Sequence, residues 1–493
     1  MNIACMRIHA VASRSEAQKG HAENWDSSAV KSLWGWVSAQ ATARACLLAV
    51  EKSEKLNGCE VFNIVAPTTT QDTPSQELAK KYYPDAEIRG DLSRHSDHLL
   101  HTEEDVVRFE DTNMSSSNAV LANATIREYR DLIRNQDDEF IKQMPKVEMH
   151  VHIEGTMTPE LRWPLAVRHR IPIPNPRTGK YCRDLSELKG LYDLLDDLEQ
   201  GGVEGGMLRF FELYYGGFDV LRDEEDFYLL AMNYFQRAAR MNIRYCEPFF
   251  DPQGHTRRGV SLDTVMKGLQ RAQLEAAEKL NVQSQWIMCF LRDMSPESAM
   301  SHYIDALPYR DMIVGIGLDS LETDRPPLLF EDVFQRARED GFKITCHCDV
   351  GAKDSLRHIA QVIDQLGGTG ADRIDHGLHA ADDPSLLAKV KEKDLGMTIC
   401  PWGYLCYSGE TQILERIRII HDAGIKIAIG SDDPAYMEDV WLNNSLHMLR
   451  ELCHFTDDDF VALQRYAIDI CWASADVKRE ILAELQEYQK QAL

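Results

Sequence analysis

Val147-Glu148-Met149-His150-Val151-His152-Ile153 is a short apolar run that carries two histidines at positions i and i+2. Successive side chains of a β-strand point to opposite faces, so both imidazoles share one face while Val151 packs away from them. Two imidazoles on one face can reach a single divalent cation. The spacing therefore predicts a strand that ends in half a metal site. Its other half must come from strands that the fold brings alongside.

Such strands recur down the chain. Short apolar segments run over Val147 to Ile153, Ile243 to Phe250, Gln285 to Leu291, Met312 to Leu318, Lys343 to Cys348, Arg373 to His376, Met397 to Cys400 and Lys426 to Ile429. Amphipathic stretches of helical period lie between them, at Glu224 to Met241, Leu262 to Leu280, Phe330 to Asp340, Ser355 to Leu366, Pro384 to Lys393 and Thr411 to Ala423. Alternating β and α segments predict a parallel sheet. Eight β/α units in roughly 300 residues fit an α/β fold of the (β/α)8 TIM-barrel type, and eight, the closing number, favours it over a doubly wound open sheet. Residues 159–223, between strands one and two, are too many for a simple connection and predict extra helices over the barrel mouth.

Barrel enzymes build their sites at the C-terminal ends of the strands. The polar residues of this chain collect there: His150, His152 and Glu154 on strand one, His347 and Asp349 on strand five, Asp375 and His376 on strand six, Asp432 and Asp433 on strand eight. A lone histidine at a strand end is usually a hydrogen-bonded structural residue, and Asp432-Asp433-Pro434 could simply start a helix. Their joint placement is harder to explain that way. Three histidines and a carboxylate suit one zinc or similar borderline ion per chain.

Composition narrows the function classes. The 493 residues carry a formal net charge of -25, which argues against nucleic acid or an anionic membrane as partner. No run approaches the roughly 20 apolar residues that span a bilayer, and Met1 to Gly20 lacks the apolar core of a signal peptide. The 12 cysteines include no CxxC pair and several sit in strand-like segments, so reduced thiols and a cytoplasmic or nuclear setting are expected.

Five segments together carry a family resemblance: 144–156, Phe249-Phe250-Asp251-Pro252-Gln253, Gly317-Leu318-Asp319-Ser320, Arg373-Ile374-Asp375-His376-Gly377 and Ser431-Asp432-Asp433-Pro434-Ala435-Tyr436. Over about 120–493 the chain resembles the adenosine/adenine deaminase family of metal-dependent amidohydrolases. That resemblance implies zinc held by His150, His152, His347 and Asp432, with His376 orienting the attacking hydroxide. It further implies that Glu154, Ser320 and Asp433 contact a small purine substrate. Glu154, where adenosine deaminases usually have Asp, points with the Gly-Leu-Asp-Ser segment to the adenine deaminase branch. The implied reaction is zinc-dependent hydrolytic deamination of a 6-aminopurine (adenine, adenosine or a close analogue): hydroxide on the metal attacks C6 and ammonia leaves.

One departure bears on the chemistry. The family reads His-Ala-Gly-Glu on strand five, with the glutamate as proton donor, whereas this chain reads His347-Cys348-Asp349-Val350. Valine cannot move a proton. Either Asp349, two residues from His347 and so on its face, supplies the carboxyl, or the barrel keeps its metal and has lost or altered its hydrolase activity. A second departure, Cys400-Pro401-Trp402-Gly403-Tyr404, places a tryptophan near the mouth where the family has Cys-Pro-x-Ser-Asn; packing is its expected role.

The beginning of the chain differs in character. Residues 1–94 read as a small incomplete α/β fragment with helices over 41–56 and 75–83 and a strand at Glu60 to Val65, and 95–119 read as a linker. Ala41 to Ala49 and Val61 to Pro67 resemble the C-terminal end of an NAD-dependent epimerase/dehydratase. Neither a Gly-rich phosphate loop nor a Tyr-x-x-x-Lys pair accompanies them, so no NAD is expected.

Overall fold

Strands buried on both faces read as continuous apolar runs, and the second half of the fold is assembled from such runs. The computed structural model describes residues 121–195, 209–348, 354–408 and 412–492, with four short strands before residue 65. The chain divides into two compact units, Met1–Ser115 and Ser116–Leu493. In the first, Ile3–Ile8 pairs in parallel with Cys59–Ile64, and Ala10–Val11 with Trp36–Val37. The expected strand at Glu60 to Val65 falls on Cys59–Ile64; the helices expected over 41–56 and 75–83 and the linker over 95–119 lie outside the described residues.

The second unit is a closed barrel of eight parallel strands. They are β1 (Lys146–Glu148, continued by single bridges at Val151 and His152), β2 (Ile243–Cys246 and Phe249–Phe250), β3 (Trp286–Leu291), β4 (Ile313–Asp319), β5 (Lys343–Ile344 and His347–Cys348), β6 (Arg373–His376), β7 (Gly396–Ile399) and β8 (Ile427–Ile429). Each pairs with the next. The ring closes where Asp432 N–H donates to His150 O at 3.0 Å and His152 N–H donates to Asp432 O at 2.9 Å. The first and last strands of the barrel are thus joined through three of the sequence-predicted ligands, His150, His152 and Asp432.

Helices alternate with the strands as the sequence predicts, and their ends are set by local chemistry. Asp223 and Asp226 form a reciprocal capping box at the start of Glu224–Arg240. Leu262–Leu280 begins on the Ser261 hydroxyl, which accepts Thr264 N–H at 3.1 Å, and ends at Asn281 in the left-handed conformation. The sequence patterns did not single out Pro296–Ala306 or the three closing helices Leu442–Cys453, Asp457–Ile470 and Ala475–Ala492. The segment between β1 and β2 does contain extra helices, Pro159–His169, Leu185–Leu191 and helical backbone over 209–218. Tyr214 and Tyr215, on the last of these, hydrogen-bond Asp251 and Ser320 beyond the ends of β2 and β4, so the insertion lies at the barrel mouth. Among the described residues no helix is long and apolar enough to cross a membrane, and the cysteines from Cys182 to Cys471 are free and buried.

Closing the barrel requires close approach at β8. A Cβ on Gly430 would lie 2.5 Å from His150 O and 2.6 Å from its Cβ. Gly430→Ala is therefore expected to cost about 1–3 kcal/mol of stability through overpacking, read as a lowered denaturation midpoint. An unchanged midpoint would mean that the β1–β8 seam can widen freely.

Candidate active site

Four side chains converge at the mouth end of the barrel. One ligand atom from each of His150, His152, His347 and Asp432 lies within 4.8 Å of the others, and all four residues are buried. His152 Nε2 and His347 Nε2 stand 3.1 Å apart, and Asp432 Oδ1 is 3.3 Å from His150 Nε2 and 3.6 Å from His152 Nε2. Burial pushes His150 down to about 4 and His152 to about 3, and holds His347 well below its usual range. All three are thus neutral imidazoles, the form that binds a cation. His150 Nε2 is buried without a hydrogen-bond partner. Nitrogen and carboxylate oxygen gathered at this spacing form the donor set that zinc takes.

The backbone strains to present this cluster. Asp432 (φ 63) and His376 (φ 60) both occupy the left-handed region, which non-glycine residues enter at a cost and which is found at functional sites. The His376 ring centroid lies 4.5 Å from that of His150 and 4.9 Å from that of His347. Its Nδ1 is 2.9 Å from Tyr404 Oη, and burial pushes it down to about 3. Beneath the histidines lies Phe249, whose ring is 4.9 Å from those of His150 and His152.

A second group of residues borders the first. Glu154 Oε1 accepts Asp251 N–H at 3.2 Å and lies 2.7 Å from His255 Nε2. Arg258 donates to His255 Nδ1 at 2.9 Å, so the His255 proton sits on Nε2 and points at Glu154. Glu154 is pushed up to about 7 by burial; Asp251 rises to about 8, first by burial and then by the Glu154 charge. Asp319 and Asp433 are likewise held well above the usual carboxylate range, chiefly by burial. Near neutral pH some of these carboxyls keep a proton, so the wall can donate hydrogen bonds as well as accept them. That suits a heterocycle whose ring nitrogens alternate between acceptor and donor.

The sequence-predicted residues are distributed as follows. His150, His152, His347, Asp432 and His376 come together. Glu154 and Asp433 are neighbours, for a Cβ on Gly155 would lie 2.7 Å from Asp433 Cα. Ser320 sits farther out, its hydroxyl 2.8 Å from Tyr215 Oη. Asp349 and Val350 lie outside the described residues. Trp402 is buried and donates to Met437 O at 3.0 Å, a packing role. Sequence reasoning assigned nothing to Asp251, His255, Asp319 or Tyr214. Asp251 and Asp319 stood within quoted motifs, and a polar residue just past an apolar strand was the available signal.

The profile of the adenosine deaminase family matches residues 145–488, and its span takes in every residue of both groups. This chain belongs to the adenosine deaminase family. An uncharacterised deaminase of Schizosaccharomyces pombe is 38% identical over 352 residues, 71% of this chain and 97% of that protein. The adenine deaminase of Geotalea uraniireducens is 36% identical over 347 residues, 70% of this chain and 91% of its own. Among solved structures, the adenine deaminase of Arthrobacter aurescens aligns with a TM-score of 0.62 at 31% identity, covering 70% of this chain and 99% of that one. An amidohydrolase of Burkholderia ambifaria with bound Zn aligns at 0.60 and 25% identity, covering 71% and 93%.

Proposed function

We propose that this chain is a zinc-dependent purine aminohydrolase that acts on free adenine. Its family and its adenine deaminase relatives support deamination of an adenine-like purine. The observation that carries the reading is the convergence of His150, His152, His347 and Asp432, neutral histidines and a carboxylate within 4.8 Å. The matched residues lie wholly within Ser116–Leu493, to which the activity is assigned.

Zinc held by these four would lower the pKa of a bound water towards about 7 and so supply a nucleophile at neutral pH. His376, packed against His150 and His347, would be the residue that orients the attacking water and accepts its proton. Glu154 and Asp433 bind the purine ring. Glu154 is itself fixed by His255 and by Asp251 N–H, which leaves a short, rigid acid wall and favours a free base over a nucleoside. Protonation of a ring nitrogen falls to Asp349, the carboxyl nearest in sequence to the position where the family has glutamate and this chain has Val350. The competing reading, a metal-binding barrel with lost or altered hydrolysis, rests on that valine alone.

Purified protein is expected to contain about one zinc per chain, and His347→Ala or Asp432→Ala to lose it together with turnover, as measured by elemental analysis and ultraviolet assay. Adenine should be turned over with higher kcat/KM than adenosine or N6-substituted adenines; no absorbance change with any of them would sink the deaminase reading. Asp349→Asn should reduce kcat by about 10²–10⁴, the usual contribution of a positioned acid. Wild-type rates in that variant would remove Asp349 from the mechanism.

A further inference from the structure

The side of His150 that faces away from the ligand cluster makes its own contacts. His150 Nδ1 is 2.7 Å from Thr398 Oγ1 on β7. Thr398 Oγ1 in turn donates to Asp375 Oδ1 on β6 at 2.8 Å, and Thr345 Oγ1 donates to Asp375 Oδ2 at 2.6 Å. Thr345, Asp375 and Thr398 are fully buried. The Arg373 guanidinium, with Nε 3.9 Å from Asp375 Oδ1, sets a cation beside the carboxylate.

The protons in this chain can be placed by counting. A carboxylate only accepts, and a threonine hydroxyl has one proton. Once Thr398 gives that proton to Asp375, it can offer His150 nothing but a lone pair. Nδ1 at 2.7 Å must then carry the imidazole proton, and Nε2 is left as the bare nitrogen facing Asp432 at 3.3 Å. We infer that Thr398 and Asp375 are positioning residues that lock His150 in its Nδ1–H tautomer and so aim its Nε2 lone pair at the cation. The inference rests on the reading of His150 as a zinc ligand. The same Asp375 Oδ2 lies 3.5 Å from His347 Nδ1, so one carboxylate stands behind two of the three histidines.

The test uses the full chain with ¹⁵N-labelled histidine, stripped of metal, and then zinc titration against a chromophoric chelator. In the wild type, long-range ¹H–¹⁵N correlation should report His150 with a protonated Nδ1 and a bare Nε2. Thr398→Val keeps the volume but can neither accept nor donate. It should abolish that preference and weaken zinc binding by about 10–100-fold, the usual effect of losing a partner behind a ligand, in protein that remains folded but has a lowered metal-free thermal midpoint. Thr398→Ser should restore both readouts. Asp375→Leu, which leaves no side-chain acceptor for the Thr398 proton and so frees it to turn towards His150, should shift both in the same direction as Thr398→Val. An unchanged tautomer or unchanged zinc affinity in Thr398→Val, or failure of serine to restore them, would overturn the inference. A wild type that binds no zinc would instead defeat the ligand reading, and the tautomer in the metal-free protein would still judge the lock.

Discussion

The structure depends on the seam where the barrel closes. His150 and His152 leave β1 and Asp432 follows β8, and the hydrogen bonds that join these segments run through the backbone of those same residues. Closing the sheet and assembling the candidate ligand cluster are therefore one event. A barrel has no edge strand only when its last strand pairs with its first, and here that pairing happens at ligand level. It explains the glycine at 430, where any side chain would meet the His150 backbone. It also accounts for the strained φ of Asp432, which must pair with Val151 through its backbone while sending its carboxylate across to the imidazoles.

Burying so many polar groups in one place is expensive, and the interior offsets it in layers. Isolated ionised carboxylates are strongly disfavoured away from water, so they shift their pKa or find partners. Glu154, Asp251, Asp319 and Asp433 do the first, rising until some hold protons near neutrality. Deeper in, the second solution prevails. Arg373 donates to Glu247 Oε2 at 2.6 Å and lies 4.0 Å over the Trp472 ring, while Trp472 N–H bonds the same glutamate. Trp472 also packs on Phe249, Ile287 and Cys289, so a residue from the connection between the last two closing helices helps fill the barrel beneath the site. Arg292 plays a similar part at β5, where it donates to the carbonyl of His347 and pairs with Glu322 at 3.4 Å.

Much of this was legible in the sequence because buried parallel strands and ligand spacing leave a strong linear trace. Trp286–Leu291 is apolar throughout and buried throughout, and the HxH at 150 and 152 announces a shared face. The predicted strands at 243–250 and 343–348 are each broken into two pieces, at Glu247-Pro248 and Thr345-Cys346, a local irregularity that hydrophobic period does not register. What escaped was chemistry assembled only in three dimensions. Asp251 and Asp319 each look like an ordinary residue at the end of a strand; only the barrel brings them near each other and His152, where burial rather than sequence context sets their protonation. The closing helices escaped for another reason. They follow the last strand of the barrel, where a search organised by alternating β/α units has nothing left to count.

The support behind the candidate ligands follows from the same register. Lateral pairing sets His347 of β5 opposite Asp375 of β6, and Asp375 opposite Thr398 of β7, so the three form one row across the sheet. Because side chains alternate faces along a strand, only a row in register can put a ligand, a carboxylate and a hydroxyl on the interior side at one height. A slip of one residue in β6 would turn Asp375 out of the barrel and bring Ile374 or His376 to its level. The residues that hold the imidazoles are thus neighbours by hydrogen-bond register, not by sequence. That is why a threonine in the middle of an apolar strand, unremarkable in the linear chain, governs where a histidine keeps its proton.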